Sequence, residues 1–413
     1  MALVKPFSAV RPAPELASRV AALPYDVYNR KEAKEVALRD PLSFLNIDRA
    51  ESNLPDDVDT YDPKVYAKAK ELLDARIADG TYLTDPEDCY YVYELIMDGR
   101  SQTGIVACAS IDDYVSGVIK KHENTREEKE LDRIRHVDTC NAQTGPIFLA
   151  YRSNEVISGI MTAYQKTAPL YAFTADDGIT HNVWRIADKK DVEAIKVAFA
   201  GIESIYIADG HHRAASAVKV GLKRRQENPG YTGTEEYNFF LSVLFPEDQL
   251  MILPYNRVVK DLNGLSEEEF FAKISEHFTV SEIGTEPYAP TKKGTFGMFL
   301  SGKWYALTIQ SELAAIDDPV ASLDVALLQD YLLGPVLGIG DPRVDKRIDF
   351  IGGIRGLKEL ERRCGLDMTV AFSMYPTQIS ELFDVADAGL LMPPKSTWFE
   401  PKLRSGLFLH KLS

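Results

Sequence analysis

Apolar residues in "DPKVYAKAKELLDARIADG" recur at helical spacing, with Tyr66, Ala69, Leu73 and Ile77 on one face before Gly80 ends the run. A second helix is predicted after "PYDVYN", and the two make residues 1–85 an N-terminal extension. The period then changes. "DCYYVYELIMDGRSQTGIVACASI" has two runs rich in Val, Tyr and Ile around Asp98-Gly99, a pair that favours the positive φ angles of a tight hairpin. "HENTREEKELDRIRHVDT" predicts a charged helix, with residues 126–138 as a solvated, salt-bridged face. Strands "GPIFLAYR" and "HNVWRIAD" follow, then a helix near 190–200.

"IESIYIADGHHRAASAVKVGLKRR" reads as a strand, a tight turn at Asp209-Gly210, and a helix that offers Ala214, Ala217 and Val218 for packing. "NFFLSVLFPEDQLMILPYNRVVK" predicts two strands around a loop at Pro246 to Asp248. Beyond Lys260, Ser266 and Glu269 stand in capping-box register at the head of "LSEEEFFAKISEHF" and mark a new domain. A longer helix is expected in "VASLDVALLQDYLL", a turn in "IDFIGGIRG", a strand in "TVAFSMYP", and a helix in "TQISELFDVADAG" stopped by Gly389. Strands and helices mix without regular βα alternation, which predicts an α+β protein with domains at 1–85, 86–260 and 261–413.

Composition narrows the function classes. The net charge of −15 argues against nucleic acid as the main partner, because such binding rests on neutralising phosphates with basic side chains. No apolar run is long enough to span a bilayer. The first residues lack the continuous apolar stretch of a secretory signal, so a cytoplasmic location is expected. Cys89, Cys108, Cys140 and Cys364 are widely spaced, which suggests reduced thiols rather than a zinc site or a disulfide framework.

Three stretches could carry chemistry. At 206–220 the strand, glycine turn and helix leave a helix N-terminus whose unpaired N–H groups and dipole favour an anion by about 0.5–2 kcal/mol. Gly210, His211, His212 and Arg213 lie at that point, Arg213 with a fork of donors suited to phosphate. Asp209 has two readings: a plain helix cap, or a carboxylate that holds a metal ion or takes a proton. Neither GxxxxGK nor GxGxxG is present there. Glu123 precedes the periodic part of the charged helix and is a candidate general base beside His122. In "MPPKSTWFEPKL", Pro393 and Pro394 stiffen the chain ahead of Lys395, Ser396 and Thr397. That segment suits a carboxylate or phosphate, or is an ordinary loop held by Trp398 and Phe399.

Together these segments look familiar. "YIADGHHRAASA" resembles the phosphate-binding box of the ParB/sulfiredoxin superfamily, in the DGHHR form found in free serine kinases, which convert L-serine to O-phospho-L-serine. Those enzymes place a catalytic glutamate in an "HE" pair upstream, matched by His122-Glu123, and end in an "SPKTT" stretch that "PPKST" at 393–397 resembles. The wider pattern, with "RPAPELASRVAALPYDVY", "HENT", "LPYNRVVK" and "MPPKSTWFEPK", is similar to the SerK-like bacterial family known as domain-of-unknown-function family 1015.

The resemblance implies a ParB/sulfiredoxin-like nucleotide-binding core with the extension before it and a C-terminal α/β domain after it. It implies a small-molecule kinase acting on L-serine or a similar hydroxylated metabolite with ATP or ADP. Gly210, His211, His212 and Arg213 would hold the nucleotide. Glu123 would be the base, with Asp209 as its partner through Mg²⁺ or as the alternative base. Lys395, Ser396 and Thr397 would bind the substrate. The alternative is a regulatory protein that binds nucleotide without turnover.

Three departures limit the resemblance. Residues 1–85 have no counterpart in the serine kinases. His211 stands where sulfiredoxins carry a reactive cysteine, so sulfinic acid repair is not supported, and no helix-turn-helix segment supports a DNA-partition role.

Overall fold

The computed structural model describes Met1–Ser413. Mixed α and β structure is divided between two compact units, one of Met1–Leu250 with Pro401–Ser413 and the other of Met251–Glu400.

The first unit is built on a nine-stranded sheet. Its order is Ile119–Lys120, Ile205–Asp209, Ile147–Tyr151, Phe239–Pro246, Arg100–Ser110, Tyr90–Met97, Thr180–Ile186, Tyr171–Thr174, with Val4–Lys5 beside the far end of Arg100–Ser110. The hairpin at Asp98-Gly99 forms as expected, with φ of 51° and 77° at the two turn residues. Most neighbours are antiparallel. Two pairs are parallel: Ile205–Asp209 with Ile119–Lys120, and Phe239–Pro246 with Ile147–Tyr151.

Residues 1–85 belong to this unit rather than standing apart from it. Val4–Lys5 pairs with Ala109 and Cys108. The helix Pro63–Ala78, capped by Asp62, buries Val65, Ala69 and Leu73 in a core shared with Phe44, Ile47, Cys140 and Leu409. An amphipathic helix of this kind is stable because its apolar stripe is covered. The covering surface comes partly from the helix Glu127–Cys140.

That contact corrects one expectation. Residues 126–138 are solvated on one face only: Arg126 to Lys129, Leu131 and Arg135 are exposed, whereas Glu130, Asp132, Arg133 and His136 are buried. Each is satisfied by a specific partner. Tyr66 donates to Asp132 at 2.9 Å, Arg133 pairs with Asp132 and lies 4.0 Å from the Tyr25 ring centroid, and Thr125 donates to Glu130. A charge pattern cannot show that a second helix and a tyrosine wait across the gap.

The second unit is a six-stranded antiparallel sheet in the order Phe278–Gly284, Lys303–Ile309, Thr295–Leu300, Val370–Met374, Tyr255–Val259, Ile348–Gly352. The Ser266 capping box forms, but the unit begins earlier, at Met251. "NFFLSVLFPEDQLMILPYNRVVK" is therefore split, Phe239–Pro246 joining the first sheet and Tyr255–Val259 the second. The long helix expected in the 320s is short, Asp324–Leu328, and widens into a π turn over Gln329–Leu333. There the Gly334 N–H reaches the Gln329 carbonyl at 2.8 Å.

Candidate active site

Two segments far apart in sequence meet at one edge of the first sheet. Ile119 and Lys120 pair in parallel with Ile205 and Tyr206, so the chain leaving each strand emerges at the same end. The exits are His122-Glu123 and Asp209 to Arg213. His122 and His211, 89 positions apart, come together with the His122 N–H 3.4 Å from His211 Nε2 and with ring centroids 4.5 Å apart. His211 Nδ1 lies 3.9 Å from a Glu123 carboxylate oxygen.

The turn that feeds the helix requires glycine. Gly210 has φ of 92°, and a Cβ there would sit 2.9 Å from Arg213 Nε. The helix His211–Glu227 begins at once, its first intrahelical bond running from Ala214 N–H to the Gly210 carbonyl. The N–H groups of His211, His212 and Arg213 precede that bond. They form the donor array that a helix N-terminus presents to an anion.

The side chains are placed differently from expectation. Burial, with the neighbouring His122 adding to it, pushes His211 well below its ordinary pKa. It is a neutral imidazole whose Nε2 accepts from His122 and whose Nδ1 therefore carries the proton toward Glu123. His122 is held near 4, chiefly by burial, although Asp209 and a hydrogen bond to the Ile207 backbone oppose the shift. His212 Nε2 accepts from the Arg126 N–H at 2.9 Å. His211 and His212 thus each accept a backbone N–H from the segment that carries Glu123.

Arg213 also faces inward. Its guanidinium donates to the Pro146 carbonyl at 2.6 Å and to Asp209 at 3.3 Å. It thereby ties the 144–146 loop to the start of the helix. Lys402, from the C-terminal segment that returns to this unit, lies 3.8 Å from the same Asp209 oxygen. Burial raises the Asp209 pKa, but Lys402, Arg213 and the Gly210 N–H outweigh it and bring the carboxyl down to about 2. Lys402 was missed in the sequence, where Lys395 drew attention a few residues earlier. The only signal was a second Pro-Lys pair, Pro401-Lys402.

This donor set does not fit a magnesium ion held by the protein alone. No group of three His, Cys, Asp or Glu side chains converges anywhere in the chain. Asp209 already faces two cations, whereas Mg²⁺ is usually held by one or two carboxylates together with substrate phosphates.

A cavity of about 30 Å³ lies behind Arg213, bounded by Tyr25, Asp48, Arg133 and Thr144. It has room for a water or two. A larger groove of about 480 Å³ in the same unit is lined by Asp74, Asp88 and Glu236 together with His410 and Lys411.

Lys395, Ser396 and Thr397 fall in the second unit. Lys395 is exposed, with φ of 59°. Ser396 is buried, its hydroxyl donating to the Pro393 carbonyl at 2.6 Å while its own carbonyl accepts from Thr377. The Ser396 side chain therefore holds the loop, leaving Lys395 and the half-buried Thr397 as the outward groups. No helix is long and apolar enough to cross a membrane.

Comparison with solved structures finds several loose likenesses. A free serine kinase in complex with AMP is 16% identical with a TM-score of 0.34, covering 74% of this chain and 91% of that one. A variant free serine kinase in complex with ADP is 16% identical with a TM-score of 0.36, over 74% and 92%. SbnI with a C-terminal truncation from Staphylococcus aureus is 11% identical with a TM-score of 0.37, over 71% and 82%. No curated protein matches the chain. The family model described as a protein of unknown function, DUF1015, matches residues 4–326, and by that match over most of its length the chain belongs to the DUF1015 family.

Proposed function

We propose that the protein is a small-molecule kinase that transfers the terminal phosphoryl group of ATP or ADP to a hydroxyl, with free L-serine as the first acceptor to test. The observation that carries the reading is the approach of Glu123 to the start of the helix His211–Glu227, through His211 at 3.9 Å. It puts a carboxylate beside an anion-favouring helix N-terminus in a chain whose "DGHHR", "HE" and "PPKST" segments resemble those of free serine kinases.

Phosphoryl transfer asks the protein for position and charge neutralisation more than for covalent chemistry. The N–H groups of His211, His212 and Arg213 take the nucleotide phosphates. Glu123 accepts the hydroxyl proton as the acceptor oxygen bonds to phosphorus, and the bond from phosphorus to the nucleotide oxygen breaks. Asp209 suits the base role poorly, because a carboxyl brought down to about 2 has little affinity for a proton near neutrality. Its part is to hold Arg213 and Lys402 in place.

The test is incubation of the full chain with ATP or ADP and a panel of free amino acids, followed by detection of phosphoserine. Turnover with serine, reduced by roughly 10²–10⁴ in Glu123→Gln while nucleotide still binds, is the expected result. Equal activity of wild type and Glu123→Gln would remove the base assignment. Nucleotide binding without any acceptor turnover would turn the reading to a regulatory binding protein.

A further inference from the structure

Arg257 is buried, 3% exposed, yet no carboxylate is among its partners. Its guanidinium donates to the backbone carbonyls of Tyr255 and Lys395, the latter at 3.2 Å, and lies 5.4 Å from the Phe350 ring centroid. Burial lowers its pKa to about 10, and the only opposing influence is Tyr255. Other arginines buried to this degree are matched. Arg11 pairs with Asp85, Arg133 with Asp132 and Arg404 with Asp177. Arg76 has no acid either, but it caps three successive carbonyls, those of Pro41, Leu42 and Ser43. A buried cation without a carboxylate partner is costly to keep, and an anion bound beside Arg257 would offset that cost.

The surroundings supply a second cation, and the acid at the rim, Glu400, accepts from Trp398 Nε1 at 2.8 Å. Lys395 Nζ stands 5.4 Å from the Tyr255 ring centroid. Leu253 pairs with Trp398, which brings the stretches "LPYNRVVK" and "MPPKSTWFEPK" side by side. Tyr255 packs edge-on against both Phe350 and Trp398, and all three rings are only half-buried. The result is an open aromatic rim with one buried guanidinium and one exposed ammonium.

We infer that Arg257 and Lys395 form an anion-binding site in the second unit, one that takes a carboxylate or phosphoryl group, with Arg257 as the specificity-determining residue. Arginine offers a planar fork to either group, and Lys395 adds a mobile point charge. The identity of the anion as part of the kinase's acceptor or product rests on the reading above; the site itself does not.

The experiment measures thermal protection of the full chain by inorganic phosphate, acetate, L-serine and O-phospho-L-serine at constant ionic strength. In the wild type at least one of these is expected to raise the melting midpoint in a saturable way. Protection by phosphate assigns the phosphoryl group, and protection by acetate or serine assigns the carboxylate. Arg257→Gln is expected to need at least about tenfold more of the same anion, with Arg257→Lys between the two, because a charged hydrogen bond is worth a factor of that order. If Arg257→Gln does not fold, Lys395→Gln, at an exposed position, carries the same comparison. Equal protection of wild type and variant, or no protection of the wild type by any anion, would overturn the inference. Absent kinase activity with anion binding intact would sink only the kinase reading; full activity in Arg257→Gln with unchanged anion affinity would sink only this one.

Discussion

Replacing Lys402 by methionine removes one of the two cations beside Asp209 while keeping an apolar stem in place. At the observed 3.8 Å, a pair of unit charges in an effective dielectric of about 20 attracts by about 4 kcal/mol. The Asp209 side chain is 37% exposed, so solvent screening brings the effect down to roughly 1–1.5 kcal/mol, or about one pH unit. Arg213 remains 3.3 Å away. Asp209 should then titrate at about 3 instead of about 2. A carboxyl depressed in the folded state adds stability above its unfolded pKa of about 3.8 and loses it as pH falls through the folded value. Wild type should thus exceed Lys402→Met in melting midpoint at neutral pH, with the gap closing as pH drops from about 4 toward 2. Carboxyl ¹³C shifts of labelled aspartate give the pKa directly, and scanning calorimetry gives the gap. An Asp209 pKa that stays put or falls, or a gap that does not change with pH, would show that Lys402 does not act on this carboxylate.

Four further outcomes follow from the structure. Gly210→Ala forces a Cβ into a backbone with φ of 92° and toward Arg213, and should cost about 1–2 kcal/mol in denaturant unfolding and weaken nucleotide binding. Truncation after Glu400 removes Leu403, Leu407, Phe408, Leu409 and Leu412, all buried, a loss on the order of 10 kcal/mol that should unfold the first unit by circular dichroism. His122 is held neutral by burial at about 4, below its ordinary 6.5, so its contribution is complete above pH 6.5. As pH falls from there toward 4 the unfolded chain binds the proton first, and the melting midpoint should drop; in His122→Gln that drop should be smaller. Tyr66→Phe removes the donor to Asp132 and should destabilise by about 1 kcal/mol, read as a lower urea midpoint.

Much of this molecule was legible along the chain, wherever the deciding interactions are local. The Asp98-Gly99 hairpin, the Ser266 cap and the strand, turn and helix at 205–227 depend on residues within a few positions of one another, so their patterns survive reading in one dimension. Domain limits were not legible in that way. The segment Pro401–Ser413 returns to the first unit, and Val4–Lys5 pairs with residues near 108, because strand pairing is indifferent to separation in sequence. The fate of the helix Glu127–Cys140 followed the same rule, since whether Asp132 and Arg133 are solvated or buried depends on Tyr66 and Tyr25 arriving from the extension.

For the candidate site the division is equally physical. By itself the sequence determined that a glycine turn would start a helix behind a strand, that Asp209 to Arg213 would sit at that start, and that Glu123 would lie outside the periodic part of its own helix. Only the tertiary structure decided what these groups face. Parallel pairing at 119–120 and 205–206 brings Glu123 to His211, the 144–146 loop draws Arg213 inward, and the returning tail sets Lys402 on Asp209. Residue type and spacing fix the chemistry that is available, while the direction of a side chain depends on neighbours that only long-range packing supplies.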